Sequence, residues 1–219
     1  WISNQRQSHS NHDTPITVLG RESDVVIFNN ALRADQYEFR RLDEELLPHM
    51  DRMLALGYRN KLIVLHTIGS HWNYNAHYPK DFMRFTPIAR NNNPHKNSAE
   101  EIINSYDNTI LYTDHFIARV IERVEDLNSL VVYVSDHGEF LGEGGRFSHP
   151  PGSVSGRELF HIPLFVWASP RFARNNPGKT ARLRSNSTKS VSHDHVFHSL
   201  LDGAGIVSPV IDRELSVFR

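Results

Sequence analysis

Cysteine is absent from this sequence, so neither a disulfide framework nor a thiolate zinc site can form. No apolar run reaches the roughly 18 residues of a transmembrane helix. The 24 Lys and Arg nearly balance the 25 Asp and Glu, which leaves no basic stripe for nucleic acid and no acidic tail. An initiating methionine and a signal peptide are missing as well. Because Trp1 to Gln5 resemble the exit from a strand that began upstream, we expect a piece of a longer protein.

The remaining composition is that of a globular α/β protein. With 219 residues, 39% of them hydrophobic, and a mean hydropathy of −0.46, the chain can bury a sizeable core. Short apolar runs predict strands that alternate with helical patterns. We therefore expect a three-layer sandwich in one domain, with a mostly parallel central sheet and helices on both faces. The predicted strands are Asp24–Phe28, Lys61–Ile68, Leu130–Val134 and Ile162–Ala168, the predicted helices are Asp35–Leu56, Ser98–Asp126 and Ser192–Leu201, and the predicted loops are 72–98 and 169–190.

The second predicted helix has the clearest start signal. Ser98 is a candidate cap, and Glu100 and Glu101 lie in the first turn, where the helix dipole favours acidic groups. Apolar residues along the helix predict a stripe that faces the core. The residues of this stripe are Ile103, Ile110, Ile117, Val120 and Val124.

An Asp-His pair follows the predicted strand Leu130–Val134. Gly138 lets the backbone turn away and leaves Asp136 and His137 at the end of the strand, where open α/β sheets place their ligands. A carboxylate and an imidazole are both zinc ligands, so Asp136 and His137 are candidate metal ligands. The structural alternative, an Asp that caps nearby amides beside a half-buried His, fits the spacing equally well.

Two further histidines lie at or beyond the ends of predicted strands. His71 follows Gly69 and Ser70, and His149 follows Ser148. In a parallel sheet such strand ends fall on one edge, so both rings are candidates to join the Asp-His pair. There they would donate protons or hydrogen bonds to an anionic group bound at the metal. The alternative is that each is a solvated loop side chain.

The other histidines are predicted to have structural roles. His66 lies within a strand and is expected to be a hydrogen-bonded core residue. The offsets of His193, His195 and His198 do not bring all three onto one helical face. We interpret that cluster as structural, with His193 at most near the site.

Several charged groups remain secondary candidates. Glu139 and Glu143 flank the Asp-His pair and are candidates to orient its ligands. Asp107 and Asp114 are interpreted as a solvated pair or a buried hydrogen bond. The basic residues of 171–189 are interpreted as solvated, with contact to a phosphate group as the alternative.

A series of short stretches occurs in one order: Val64–His71, Phe85–Pro87, Asn104–Asn108, Tyr133–Glu143, His149, Ile162–Trp167 and Ser192–Asp194. Together they resemble the phosphoethanolamine transferases of Gram-negative bacteria, within the alkaline phosphatase and sulfatase superfamily. The segment Ser135–Glu139 alone is shared with many members of that superfamily. The full series, which runs to about residue 201, is more specific.

The resemblance implies that residues 1–219 are the C-terminal part of a single sulfatase-like catalytic domain, truncated at its N-terminus. It implies one or two zinc ions, held by Asp136 and His137 with a glutamate and a threonine from upstream. The threonine would be the nucleophile. His71 and His149 match family histidines near the transferred group, where they are expected to bind substrate and to act in catalysis.

The implied reaction transfers phosphoethanolamine from phosphatidylethanolamine to a lipopolysaccharide-type acceptor such as lipid A or a core sugar. The implied location is the periplasm, in a bacterial inner-membrane protein anchored through its upstream region, with no nucleic acid partner. Because the nucleophile is expected upstream, we expect the 219 residues to be inactive alone. One alternative is a sulfatase or phosphodiesterase-type hydrolase of the same superfamily. Another is a non-catalytic relative that binds a lipid head group or a partner.

Overall fold

The computed structural model describes residues 1–5, 14–29, 42–149 and 156–219. The chain is α/β with a parallel sheet, as the sequence predicted. It divides into two compact units, Trp1–Val120 with Glu139–Leu159 and Ile121–Gly138 with Phe160–Arg219. None of the helices in the described ranges combines the length and the apolar character needed to cross a membrane.

The parallel sheet belongs to the first unit and consists of β1 (Ile2–Ser3), β2 (Ile27–Phe28) and β3 (Leu65–His66), in the order β2–β1–β3. Ile2, only 1% exposed, pairs with Ile27 on one side and Leu65 on the other. The paired segments are shorter than the predicted strands because both outer strands align with the same two residues of β1. The elements up to this point are β1 (Ile2–Ser3), α1 (Thr14–Arg21), β2 (Ile27–Phe28) and β3 (Leu65–His66).

A 3-10 turn at Asp43–Leu46 leads into helix α2, Leu47–Ala55. A proline in the first turn is compatible with the helix because its missing N–H would have no intrahelical partner there. Leu46, Leu47 and Met50 are buried. The predicted helix began at Asp35, and the part of it before residue 42 lies outside the described residues.

Helix α3, Ala99–Val124, closely follows its predicted bounds. Ser98 caps it as expected. Its hydroxyl accepts a hydrogen bond from the Glu101 amide at 3.2 Å, and the Glu101 carboxylate accepts one from the Ser98 amide at 2.8 Å. This reciprocal arrangement satisfies two of the amides that a helix start leaves unpaired.

The buried face of α3 differs from the predicted stripe. Ile103 and Ile110 are 42% and 44% exposed, whereas Val120 and Val124 are buried as predicted. The prediction was wrong for the two isoleucines because it followed apolar residues alone. The buried face includes polar side chains that bind the preceding segment, and its members are Ile102, Ser105, Asn108, Thr109, Tyr112, Phe116, Val120 and Val124.

The segment between β3 and α3 is irregular, as predicted, apart from 3-10 turns at Tyr74–Ala76, Lys80–Phe82 and Pro94–Lys96. Polar side chains of α3 form hydrogen bonds with the backbone of this segment. The Asn108 Oδ1 accepts hydrogen bonds from the amides of Arg84 and Phe85 at 2.8 and 2.9 Å. The helix therefore acts as a scaffold for the segment that follows Gly69-Ser70-His71.

A tight antiparallel hairpin follows the Asp-His pair in sequence. Strands β5 (Phe140–Leu141) and β6 (Phe147–Ser148) are joined by a glycine-rich turn. Gly142 and Gly145 have φ of 129° and 73°, a region where side chains larger than glycine are strained.

In the second unit, β4 occupies the predicted Leu130–Val134 and pairs with β7, Leu164–Ala168. The pairing is antiparallel, with Val134 opposite Leu164. The expectation that this strand end lies on an edge of parallel strands is therefore wrong for this pair, since the end of β4 lies beside the start of β7.

The predicted loop 169–190 is largely helical, and this prediction was wrong. Helices α5 (Pro170–Asn175) and α6 (Pro177–Ser185) follow a short α4 (Arg157–Phe160) and strand β7. The Ser169 hydroxyl caps α5 by accepting from the Phe172 amide at 3.0 Å. Two short helices interrupted by proline leave too little apolar periodicity for sequence analysis to detect. Helix α7, Asp194–Gly203, lies within two residues of the predicted bounds Ser192–Leu201.

Candidate active site

Asp136 and His137 lie just beyond the end of β4, where the sequence placed them. Backbone and side-chain contacts hold this turn. The Ser135 hydroxyl donates to the His137 carbonyl at 2.7 Å, and the His137 amide donates to Oδ1 of Asp136 at 3.0 Å. The second of these is the capping contact of the structural alternative, but it engages only one carboxylate oxygen. The Asp136 side chain is 80% exposed and faces solvent.

The orientation of His137 suits a metal ligand. Its Nδ1 lies 2.8 Å from the Gly138 carbonyl, which only accepts, so Nδ1 carries the hydrogen and Nε2 has the lone pair in the neutral ring. That Nε2 lies 3.7 Å from Oδ2 of Asp136. Two ligands of one tetrahedral zinc are roughly 3.4 Å apart when each bond is about 2.1 Å. The two side chains therefore fit one zinc ion, and their role as ligands remains a prediction.

The nearby histidine cluster on α7 is structural, as the spacing predicted. His193 contacts the Ser135 carbonyl through Nε2 at 2.8 Å. His195 accepts from the Ser192 amide at 3.1 Å, and His198 accepts from the Asp212 amide at 3.0 Å. The three rings thus serve three different partners. His193 lies beside the turn that carries Asp136, which is the position expected for it.

In the first unit, the structure brings His71 and His149 together. Their ring centroids are 5.8 Å apart with planes at 70°, and the ring of His77 lies 6.4 Å from that of His71. His71 Nδ1 contacts the carbonyl of Trp72. Three imidazoles thus converge on one region of this unit.

A buried carboxylate binds the backbone of the loop that carries His71. Asp43, 6% exposed, accepts hydrogen bonds from the amides of Ile68 and Gly69, each at 3.0 Å, and from the Asn4 side chain at 2.8 Å. Burial raises the pKa of Asp43, and these donors counteract the rise only in part. The carboxylate links the end of β1 to the loop after β3. His66, in strand β3, forms a hydrogen bond with the Ser3 hydroxyl at 2.9 Å, as predicted for a structural residue.

Glu139 orients His149. Its side chain is 5% exposed, and one carboxylate oxygen contacts His149 Nδ1 while the other accepts from the Tyr74 hydroxyl at 2.8 Å. Burial, followed by the Glu139 charge, raises the pKa of Tyr74 far above its ordinary value, so Tyr74 remains a donor. Glu139 and His149 provide a carboxylate and an imidazole, a pair of the kind that binds zinc.

Sequence analysis missed Tyr74 and His77. Both lie in the irregular segment 72–98, where no periodicity marks an inward side chain. The length of that segment, typical of functional loops, was the available signal. Of the secondary candidates, Glu139 contacts a predicted site residue. Glu143 instead accepts a hydrogen bond from the Leu141 amide at 2.7 Å, within the hairpin. Asp107, another secondary candidate, is partly buried, and burial raises the pKa of its carboxyl.

Comparison with known proteins identifies related chains. A family profile described as Sulfatase matches residues 1–206. The Kdo(2)-lipid A phosphoethanolamine 7''-transferase of Escherichia coli is 36% identical over 172 residues, which cover 76% of this chain and 30% of the relative. The chain therefore spans under a third of that curated relative.

Solved structures show the same fold. The integral membrane protein lipooligosaccharide phosphoethanolamine transferase A (EptA) from Neisseria meningitidis aligns with a TM-score of 0.75 at 36% identity, over 80% of this chain and 34% of that chain. The C-terminal periplasmic domain of EcEptC from Escherichia coli, in complex with Zn, aligns with a TM-score of 0.80 at 28% identity, over 100% of this chain and 61% of that chain.

Proposed function

We propose a function that starts from the family: this chain belongs to the sulfatase family and is related to its phosphoethanolamine transferases. The chain is part of an enzyme that transfers phosphoethanolamine from phosphatidylethanolamine to a cell-envelope acceptor such as lipid A or a core sugar. Residues 1–219 form the C-terminal part of one sulfatase-like catalytic domain. That domain lies in the periplasm and belongs to an inner-membrane protein, a placement supported by the integral membrane relative and the periplasmic one.

The pairing of His71 with His149 is the observation that carries the proposal. Their rings lie 5.8 Å apart, and both match family histidines near the transferred group. The Nδ1 atoms of His149 and His71 contact Glu139 and the Trp72 carbonyl, so the Nε2–H of each ring in its protonated form is the donor suited to phosphoryl oxygens whose charge grows in the transition state. In this proposal His71 and His149 bind the phosphoethanolamine group and act in catalysis, while Glu139 orients His149.

Asp136 and His137 are the proposed zinc ligands from this chain. Their Nε2 and Oδ2 atoms, 3.7 Å apart, have the spacing of two ligands on one ion, and a relative's structure is a Zn complex. Bound zinc would supply a Lewis acid for a phosphoryl oxygen. A glutamate and a threonine upstream of residue 1 would complete the site. The threonine would take phosphoethanolamine from the lipid, release diacylglycerol, and pass the group to the acceptor.

The test uses the longest reading frame that contains this chain, expressed in a Gram-negative host without its own phosphoethanolamine transferases. Mass spectrometry of the lipopolysaccharide should detect added phosphoethanolamine. His149→Gln should lower the modified fraction by about 100-fold or more, the usual contribution of a catalytic proton donor. His161→Gln is the matched control, since His161 is exposed and outside the cluster. It should retain full activity, and the 219 residues alone should have none.

Other results would point to the alternatives. Free phosphoethanolamine released from the labelled lipid, with no modified acceptor, would indicate a hydrolase of the same superfamily. If neither product forms and labelled phosphatidylethanolamine still binds, the protein is a non-catalytic relative. Equal activity of the His149 and His161 variants would remove the histidine pair from the mechanism.

A further inference from the structure

Positive charge is concentrated on helices α5 and α6 of the second unit. Between Glu158 and Asp194 the sequence contains no acidic residue, whereas residues 170–190 carry six Lys or Arg. The whole chain has a net charge of −1, so the remainder of the molecule is negative. Such segregation creates a local positive potential that a nearly neutral chain would not otherwise have.

Five of these six cations have no ion-pair partner among the residues that the structure describes. Lys179 is the exception, because its Nζ lies 3.4 Å from Oδ1 of the buried Asp202. The others are exposed, and we call them the α5–α6 face. Its members are Arg171 and Arg174 on α5, Arg182 and Arg184 on α6, and Lys189 in the segment that follows α6.

A shallow cavity of about 300 Å³ lies on this face, between the two helices. Arg174 from α5 and Arg184 from α6 line it, together with Thr180 and three apolar residues, Ala173, Pro177 and Ala181. A guanidinium can bind phosphate through two parallel N–H···O bonds. Two guanidinium groups on one small cavity are thus suited to a phosphate.

We propose that the α5–α6 face docks on an anionic membrane, with the cavity between Arg174 and Arg184 receiving a lipid phosphate. Exposed cations without ion-pair partners in the described residues, on two consecutive helices and the segment after them, match a surface of negative head groups. A nucleic acid is disfavoured because the related structures are those of an integral membrane protein and a periplasmic domain. This docking surface is separate from the proposed transferase chemistry, which involves residues outside α5 and α6.

Vesicle co-sedimentation of the 219-residue chain tests the proposal. Binding should be strong to phosphatidylcholine vesicles that contain phosphatidylglycerol, weak to pure phosphatidylcholine, and lost at high salt. Each basic residue near an anionic surface contributes about fivefold to binding. The double variant Arg174→Gln, Arg184→Gln should therefore bind at least about tenfold more weakly. The control Arg59→Gln, Arg213→Gln removes the same charge from two exposed sites outside the face and should bind like the parent chain.

A second measurement separates the lipid from free phosphate. Inorganic phosphate should compete with vesicles only weakly, because the other three cations still contact the membrane. Equal loss in the two double variants would overturn the proposal, since binding would then follow net charge alone. Phosphate binding without vesicle binding would overturn it too, because the cavity would then recognise a soluble anion. If the chain bound neither the vesicles nor inorganic phosphate, the proposal would also be overturned.

Discussion

At Glu139, two side chains from distant segments meet one buried carboxylate. With 5% of its side chain exposed, Glu139 has lost most of its hydration and depends on protein donors. Tyr74 donates to one oxygen at 2.8 Å, and His149 contacts the other through Nδ1. Because an ionised carboxylate only accepts hydrogen bonds, the neutral His149 ring must carry its hydrogen on Nδ1. Glu139 therefore determines which imidazole nitrogen has the lone pair, and Tyr74 holds Glu139 in place.

Replacing Tyr74 by Phe should weaken this arrangement. The change leaves one oxygen of a buried charge without its donor, so the free energy of unfolding should fall by about 1–3 kcal/mol. Urea denaturation measures that loss, and ¹⁵N chemical shifts of labelled histidine report whether His149 keeps its Nδ1–H tautomer. Tyr58→Phe is the control, since Tyr58 is 64% exposed. Equal stability of the two variants, with an unchanged His149 tautomer, would show that the Tyr74 hydroxyl does not position Glu139.

Helix α3 stabilises an irregular segment through polar side chains. Asn108 is fully buried, and its amide pairs with backbone groups on both sides of one turn. Its Oδ1 accepts from the amides of Arg84 and Phe85, and its Nδ2 donates to the Phe85 carbonyl at 3.0 Å. These bonds replace the strand or helix partners that the segment lacks, which explains why a polar residue occupies the buried face of the helix.

Asn108→Ala should therefore destabilise the chain more than loss of a half-buried asparagine on the same helix. It leaves the amide and the carbonyl of Phe85 without partners, whereas the Arg84 amide keeps its bond to the Phe82 carbonyl at 3.0 Å, so the free energy of unfolding should fall by about 1–3 kcal/mol in urea denaturation. Asn104→Ala is the matched control, since Asn104 makes one exposed bond, to the Pro87 carbonyl at 3.0 Å. Hydrogen exchange should accelerate at the Phe85 amide only in the Asn108 variant. Comparable losses in both variants would contradict the scaffold role of α3.

Elements with strong local signals could be predicted from the sequence, and contacts between distant residues could not. The β-branched run of β4 and the cap at Ser98 define their elements locally. The antiparallel pairing of β4 with β7 depends on how separate segments meet, which apolar runs do not encode. At the candidate site, Asp136 and His137 are adjacent in sequence and were therefore found together. The bond between Tyr74 and Glu139 joins residues that no sequence spacing relates.

Across the whole molecule, the net charge of only −1 has little effect on stability, so electrostatic stabilisation comes from individual buried charges and their partners. Asp202 of α7 is 4% exposed and binds Arg219 through two bonds of 2.7 and 3.2 Å. Ser216 donates to it at 2.8 Å, and Lys179 of α6 lies 3.4 Å away. Burial alone would raise the pKa of Asp202, but these donors and cations outweigh it and hold the pKa below its ordinary value. One carboxylate thus links α6, α7 and the C-terminal residues.

The stabilising effect of Asp202 should disappear in acid. Because its pKa is lower in the folded chain than in the unfolded one, the folded state binds fewer protons at this carboxyl. The group therefore stabilises the fold above about pH 4 and loses that effect as the pH falls through the folded pKa.

Asp202→Asn should lower the free energy of unfolding by about 2–4 kcal/mol at neutral pH, because two cations lose their buried partner, and this loss should shrink as the pH falls. Urea denaturation from neutral pH down to about pH 3 measures this. Asp114→Asn, at an exposed position on α3, should have little effect throughout. A cost for Asp202→Asn that does not change with pH would mean that Asp202 acts through its shape and neutral hydrogen bonds, with no contribution from its charge.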